Sequence, residues 1–142
     1  MCDMYGFIYK EMEYKYNGKS EVLLDGRYEN YHFIIASIRG SHPCAYIELG
    51  EKSSFYGHDY REEIFDDIPV HGGLSYSDNY LHVAKLQGNW IIGWDYAHFE
   101  DYIAHPSKYN RIYKDYHKWT VSEILEQDVI PAIKWLKEKD ED

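Results

Sequence analysis

The sequence predicts an α+β fold: a mainly antiparallel sheet covered by a C-terminal amphipathic helix. Three observations predict it. Short apolar runs rich in Ile and aromatics, separated by turn residues, fill the middle of the chain. Two of these runs, Tyr80 to Leu86 and Trp90 to Trp94, flank Gln87-Gly88-Asn89, which reads as the tight turn of a hairpin. The last apolar set (Val121, Ile124, Leu125, Val129, Ile133 and Leu136) falls at helical spacing.

Tyr28 to Ile38 carries Phe33, Ile34, Ile35, Ala36 and Ile38 and reads as a strand. Ser41-His42-Pro43-Cys44 interrupts it, and Cys44 to Leu49 reads as a second strand. Glu51 to Asp67 is polar and acidic, a long loop or a short helix. Ile68 to Tyr76, opened by Pro69, reads as a strand whose Gly72-Gly73 marks a bulge or a close backbone approach. Asp95 to Tyr113 reads as loop with a short helix at most. Thr120 and Glu123 form a capping box for the last helix. Pro131 is expected to kink or restart that helix. The Lys-Glu-Lys-Asp-Glu-Asp tail is expected to fray.

Residues 1–142 make one domain, long enough for a proper core. No apolar run approaches the roughly 20 residues that span a bilayer. The first residues lack the basic start and apolar centre of a signal peptide, so a cytoplasmic location is expected. Cys2 and Cys44 are too few for a disulfide framework. The formal net charge is −10, from 25 acidic and 15 basic residues. That disfavours direct binding to nucleic acid, which rests on Lys and Arg meeting phosphates. It favours solubility and a basic partner, such as a groove that normally holds nucleic acid, though on charge alone a well-solvated surface is the stronger reading. The oligomeric state is not fixed by the sequence.

Of the eight histidines, position separates a few. His71 lies in Val-His-Gly-Gly, where glycines allow another element to approach the imidazole. Asp95 ends the apolar run Trp90 to Trp94, and His98 follows three residues later. Imidazole plus carboxylate is an ordinary ligand set for zinc, and three protein ligands leave one position open. The bland alternatives are a solvated histidine and an Asp that caps a turn. His32, His82, His105 and His117 read as non-ligands.

The segment VHGGLSY (70–76), followed by WIIGWDYAHFED (90–101), resembles a family of small phage and prophage proteins. Their signature runs roughly VHGGLTY, then WWIGFDCAHAGD. CAYIEL (44–49) and FYGHDY (55–60) are similar to that family's CGYVxV and LYGxDY segments, so the likeness covers Cys44 to Asp101. In that pattern His71, Asp95, His98 and Asp101 fall on repeated polar positions within apolar strands. The resemblance therefore implies a metal site, with zinc the expected ion. Asp101 is the preferred fourth ligand or else an acceptor that orients a histidine; His42 and His58 are further candidates. The chain departs from the pattern at Lys52-Ser53-Ser54, where relatives carry Gly-His-Pro, and at Tyr96, where they carry Cys.

The chain also looks like a type II anti-CRISPR protein, a phage inhibitor of Cas9. That would imply stoichiometric binding to Cas9 in the host cytoplasm, keeping target DNA from loading into its positively charged channels. The alternative from another class is a metal-dependent phage hydrolase, with a zinc-bound water as nucleophile and Glu100 or Asp101 as base. No HExxH and no phosphate loop supports that alternative. A third reading is a phage structural protein using Tyr-rich faces.

Overall fold

The computed structural model of the protein describes residues 10–106 and 115–141. Five strands form one antiparallel sheet in the order β1-β2-β3-β5-β4. They are β1 (Glu21–Tyr28), β2 (Tyr31–Ile38), β3 (His42–Leu49), β4 (Tyr76–Leu81) and β5 (Leu86–Asp95). The C-terminal helix begins as α1 (Val121–Ile124), widens into a π-helical turn at Leu125–Val129, and continues as α2 (Ile130–Glu141). The fold class read from the sequence is the one observed. No helix of the described residues is long and apolar enough to cross a membrane.

The expected strand from Tyr28 divides differently. Glu29 and Asn30 both have positive φ, 51° and 70°, and make a two-residue turn between β1 and β2. β1 has no counterpart in the sequence reading. Its register shifts between Val22 and Leu24, and both Leu23 and Leu24 are buried. A bulge of this kind breaks the alternation that marks a half-buried strand. β2 and β3 are covered on both faces, which is why their sequences read as continuous apolar runs.

One face of the sheet presents Phe33, Ile35, Ala45, Ile47, Ile92 and Trp94 to the helix. The helix answers with Val121, Ile124, Val129, Ala132, Ile133 and Leu136 in the same core. Pro131 lies just after the π-helical turn. It has no N–H for the carbonyl four residues back, and its ring would crowd that carbonyl; a widened turn relieves both. Thr120 and Glu123 form the expected capping box. Glu11 adds a carboxylate that accepts from the Val121 N–H at 2.8 Å. The opposite face carries a smaller cluster: Ile34, Ala36, Cys44, Tyr46, Leu81 and Ile91. Burial pushes the Cys44 thiol up to about 12, so it stays protonated.

The β4–β5 hairpin turns at residues 82–85, not at Gln87-Gly88-Asn89 as the sequence suggested. Asp78 pairs with Ile91 and Tyr80 with Gln87, so one residue of β4 faces three of β5. Gly88, at φ 102°, sits in this bulge. The bulge bends the hairpin, and Leu81, Val83, Ala84 and Leu86 pack against the second face.

Ile68 to Ser75 is loop rather than strand; only Tyr76 of the expected segment is in β4. Pro69 cannot donate to a ladder, and Gly72 and Gly73 both have positive φ, 71° and 79°, which ends extended backbone. The consequence is functional. The chain turns at His71–Gly72 and brings His71 back over the end of β5. The expectation for Asp95 to Tyr113 holds as far as residue 106; residues 107–113 lie outside the described residues.

Candidate functional site

The site lies where β5 ends. Asp95 is the last residue of β5 and pairs with Cys44 of β3. Its Oδ1 accepts the Ala97 N–H at 3.1 Å, so the carboxylate turns the chain out of the strand, and its Oδ2 accepts the Ser75 hydroxyl at 2.9 Å. His98 lies one turn on, and its Nε2 stands 3.4 Å from Asp95 Oδ1. The loop closes when the Asp101 N–H donates to the His98 carbonyl at 2.9 Å.

Asp101 holds this corner together. It is 4% exposed and accepts three hydrogen bonds. His71 Nε2 donates to Oδ2 at 2.7 Å, the His98 N–H donates to Oδ2 at 2.9 Å, and Trp119 Nε1 donates to Oδ1 at 2.9 Å. One carboxylate thus joins the His71 turn, the β5 exit loop and the residue before the helix cap. A buried carboxylate is tolerable only with donors of this number.

His71 is held by rings as well as by Asp101. It stacks on Tyr96 with centroids 5.0 Å apart and planes 3° from parallel. It meets Trp119 at 4.9 Å and stands edge to face with His98 at 5.3 Å. Beneath it, Trp94 Nε1 donates to the Tyr96 hydroxyl at 2.8 Å, and that hydroxyl donates in a short bond to Asp128. Asp128 sits in the π-helical turn and is buried. Burial pushes its carboxyl up, against the pull of the Tyr96 hydroxyl and of His71.

One polar atom in this corner lacks a hydrogen bond. His98 Nε2 is buried and makes no hydrogen bond, although Asp95 lies 3.4 Å away. Gly72 packs directly on this ring. A Cβ added there would lie 2.2 Å from Nε2, 2.5 Å from Cδ2 and 2.7 Å from Cε1. Near-equal distances place it over the face of the ring, not along the in-plane direction in which Nε2 bonds. Glycine at 72 is therefore required twice, by positive φ and by contact with His98.

The structure brings His71, Asp95, His98 and Asp101 together, with differing roles. Among the described residues no three His, Cys, Asp or Glu side chains stand grouped as a ready-made metal cage. One His–Asp pair in the corner has a comparable spacing. Ligand atoms on a tetrahedral zinc with bonds of about 2.0–2.2 Å stand about 3.3 Å apart, and His98 Nε2 and Asp95 Oδ1 meet that spacing. Asp101 is engaged as an acceptor that orients His71.

His42 is largely buried at the start of β3, its Nδ1 3.3 Å from the Ser41 hydroxyl. Burial lowers its pKa against the opposing pull of Asp95 and Asp101. His58 pairs with Glu62 and is not part of this corner. The sequence reading missed Ser75, Trp119 and Asp128. Trp119 did leave a signal, since it precedes the N-cap at the position of a hydrophobic staple.

No family model, no curated protein and no solved structure matches this chain.

Proposed function

We propose that this chain is a zinc-binding, phage-encoded inhibitor of Cas9, acting by stoichiometric binding that keeps target DNA from loading. The observation that carries this reading is the bracing of the loop from Asp95 to Asp101 around a bare aromatic. Phe99, at its apex, is 83% exposed, while Asp95, His98 and Asp101 on either side are fixed by hydrogen bonds. A rigid exposed aromatic is what a protein–protein hot spot requires, because little entropy is lost when it docks. The net charge of −10 suits a basic target surface. The resemblance of residues 70–76 and 90–101 to small phage proteins points the same way.

Zinc belongs to this reading as a brace. His98 Nε2 and Asp95 Oδ1 would hold it, and His71, whose Nε2 is bonded to Asp101, would have to turn to join them. The ion would supply positive charge to the His98 imidazole nitrogen and lock the loop under Phe99. A second reading, a metal-dependent hydrolase, is favoured by one feature. A cavity of about 310 Å³ lies beside the loop, lined by Ala97, His98, Phe99, Asp101, Ile103, His105 and Tyr116.

The test joins metal analysis to an inhibition assay. Purified protein is expected to carry one zinc per chain, and His98→Ala and Asp95→Ala to lose it. Added to Cas9 with its guide, the protein is expected to suppress DNA cleavage at a one-to-one ratio, and Phe99→Ala to fail at the same ratio. Unchanged cleavage at excess protein across several Cas9 orthologues would end the inhibitor reading. Turnover of phosphoester or peptide substrates that vanishes on chelation would replace it with the hydrolase.

A further inference from the structure

At the edge of the second face three turns meet. The β2–β3 turn presents Arg39 and Gly40, with φ 59° and 76°. The β4–β5 turn ends at Lys85, with φ 54°. The segment before β1 contributes Gly18 and Ser20. The segment before β1 is tied to the β2–β3 turn: the Asn17 and Gly18 N–H groups both donate to the Arg39 carbonyl, at 2.8 and 3.2 Å, and the Arg39 N–H donates to the Ser20 hydroxyl at 3.1 Å. Between the turns lies a cavity of about 410 Å³ lined by Gly18, Ser20, Arg39, His82, Val83 and Lys85.

Its charge runs against the composition. The chain has 25 acidic residues to 15 basic ones, yet no acidic side chain lines this cavity. Among the described residues neither Arg39 nor Lys85 has a carboxylate in ion-pair range. Both occupy left-handed backbone, where glycine or asparagine is the easy choice. The His82 imidazole stands with them, its Nδ1 3.2 Å from the Tyr80 hydroxyl.

A second pocket, of about 210 Å³, shares Ser20, His82 and Val83 with the first. Its remaining walls are apolar: Ile38, Tyr46, Tyr76 and Leu81. The Tyr46 and Tyr76 rings meet edge to face, 5.5 Å apart. A basic mouth thus opens beside a small aromatic-walled pocket, an arrangement typical of small-molecule sites.

We propose that this double cavity binds a small phosphomonoester with a flat apolar body. The phosphate would lie between the Arg39 guanidinium, whose fork matches phosphate oxygens, and the Lys85 ammonium. The apolar body would lie in the pocket walled by Tyr46 and Tyr76. This site is separate from the His98 corner and does not depend on the inhibitor reading.

The test is an NMR titration of the full chain with phenyl phosphate, inorganic phosphate and benzoate. Phenyl phosphate is expected to bind saturably and at least fivefold tighter than inorganic phosphate, shifting Tyr46 and Tyr76 resonances. The double variant Arg39→Asn, Lys85→Asn is expected to weaken it at least tenfold; asparagine accepts left-handed backbone, so the turns are kept. Lys85→Asn alone, in an exposed turn, is the fallback if the double variant melts early, with at least threefold weakening expected. Absence of saturable binding, or equal affinity in the variants, would overturn the site. Benzoate binding more tightly than phenyl phosphate would overturn the phosphate assignment.

Discussion

The two ends of the sheet are fastened by the same device with one difference. At the far end, the C-terminus of the helix is pinned through Asp140. Its carboxylate accepts from the Ser53 hydroxyl at 2.9 Å, the Ser54 N–H at 2.9 Å, the Ser54 hydroxyl at 2.7 Å and the Tyr31 hydroxyl at 3.0 Å. Nearby, His32 bridges Asp25 and Glu48 with its two ring nitrogens, at 2.7 and 2.8 Å. At the near end Asp101 gathers three donors in the same way, but His98 Nε2 is left buried without a hydrogen bond, 3.4 Å from Asp95 Oδ1. Structural polar groups in folded proteins are satisfied. The far end follows that rule throughout, so its clusters read as fasteners. The near end departs from the rule at one atom, and that atom is where the proposed zinc would attach.

Removing Asp101 is the most severe change to the near end. Asp101→Ala leaves three donors in a buried corner without an acceptor. The expected cost is about 3 kcal/mol, read as a lower urea midpoint at unchanged slope. A loss below about 1 kcal/mol would mean that the near end is no fastener. Gly72→Ala comes next, at about 2 kcal/mol, because the new methyl meets the His98 ring on backbone that favours glycine. It also separates the two roles of this corner. Asp101 keeps its donors, while the His98 ring must move, so on the zinc reading proposed above the metal is expected to be lost.

The fold was legible where apolar period and caps agree. β2, β3, the second half of β5 and the helix with its Thr120–Glu123 box all follow from spacing. β1 was not legible, because a bulge at Leu23–Leu24 hides its alternation. Gln87-Gly88-Asn89 has the composition of a turn but serves as a bulge, since glycine at positive φ suits either. The tail read as frayed is anchored at Asp140 by Ser53 and Ser54. At the site, His71, Asp95, His98 and Asp101 were found as a set, but their division of labour was not. Which carboxylate orients and which faces the open nitrogen depends on how the His71–Gly72 turn folds back, and on Trp119, 18 residues from Asp101 in sequence.

The smallest expected effect concerns the far end and pH. Burial alone would raise the Asp140 carboxyl, but the bonds from Ser54, Ser53 and Tyr31 outweigh it and hold the group below its usual range. A carboxylate depressed in the folded state stabilises fully above its unfolded value of about 3.9. That contribution is lost as pH falls through the lower folded value. The group is only partly buried, so solvent screening keeps the effect to about 1 kcal/mol or less. Asp140→Asn is therefore expected to be slightly less stable than the parent at pH 7. The gap should close as the pH falls through the depressed folded value, where the parent carboxyl is itself protonated. Urea midpoints of the two proteins at pH 7, 4, 3 and 2 would measure it, with the other carboxylates cancelling in the difference. A gap that stays constant to pH 2 would assign the clamp to the shape of the side chain, and the contrast between the two ends would then rest on Asp101 and His98 alone.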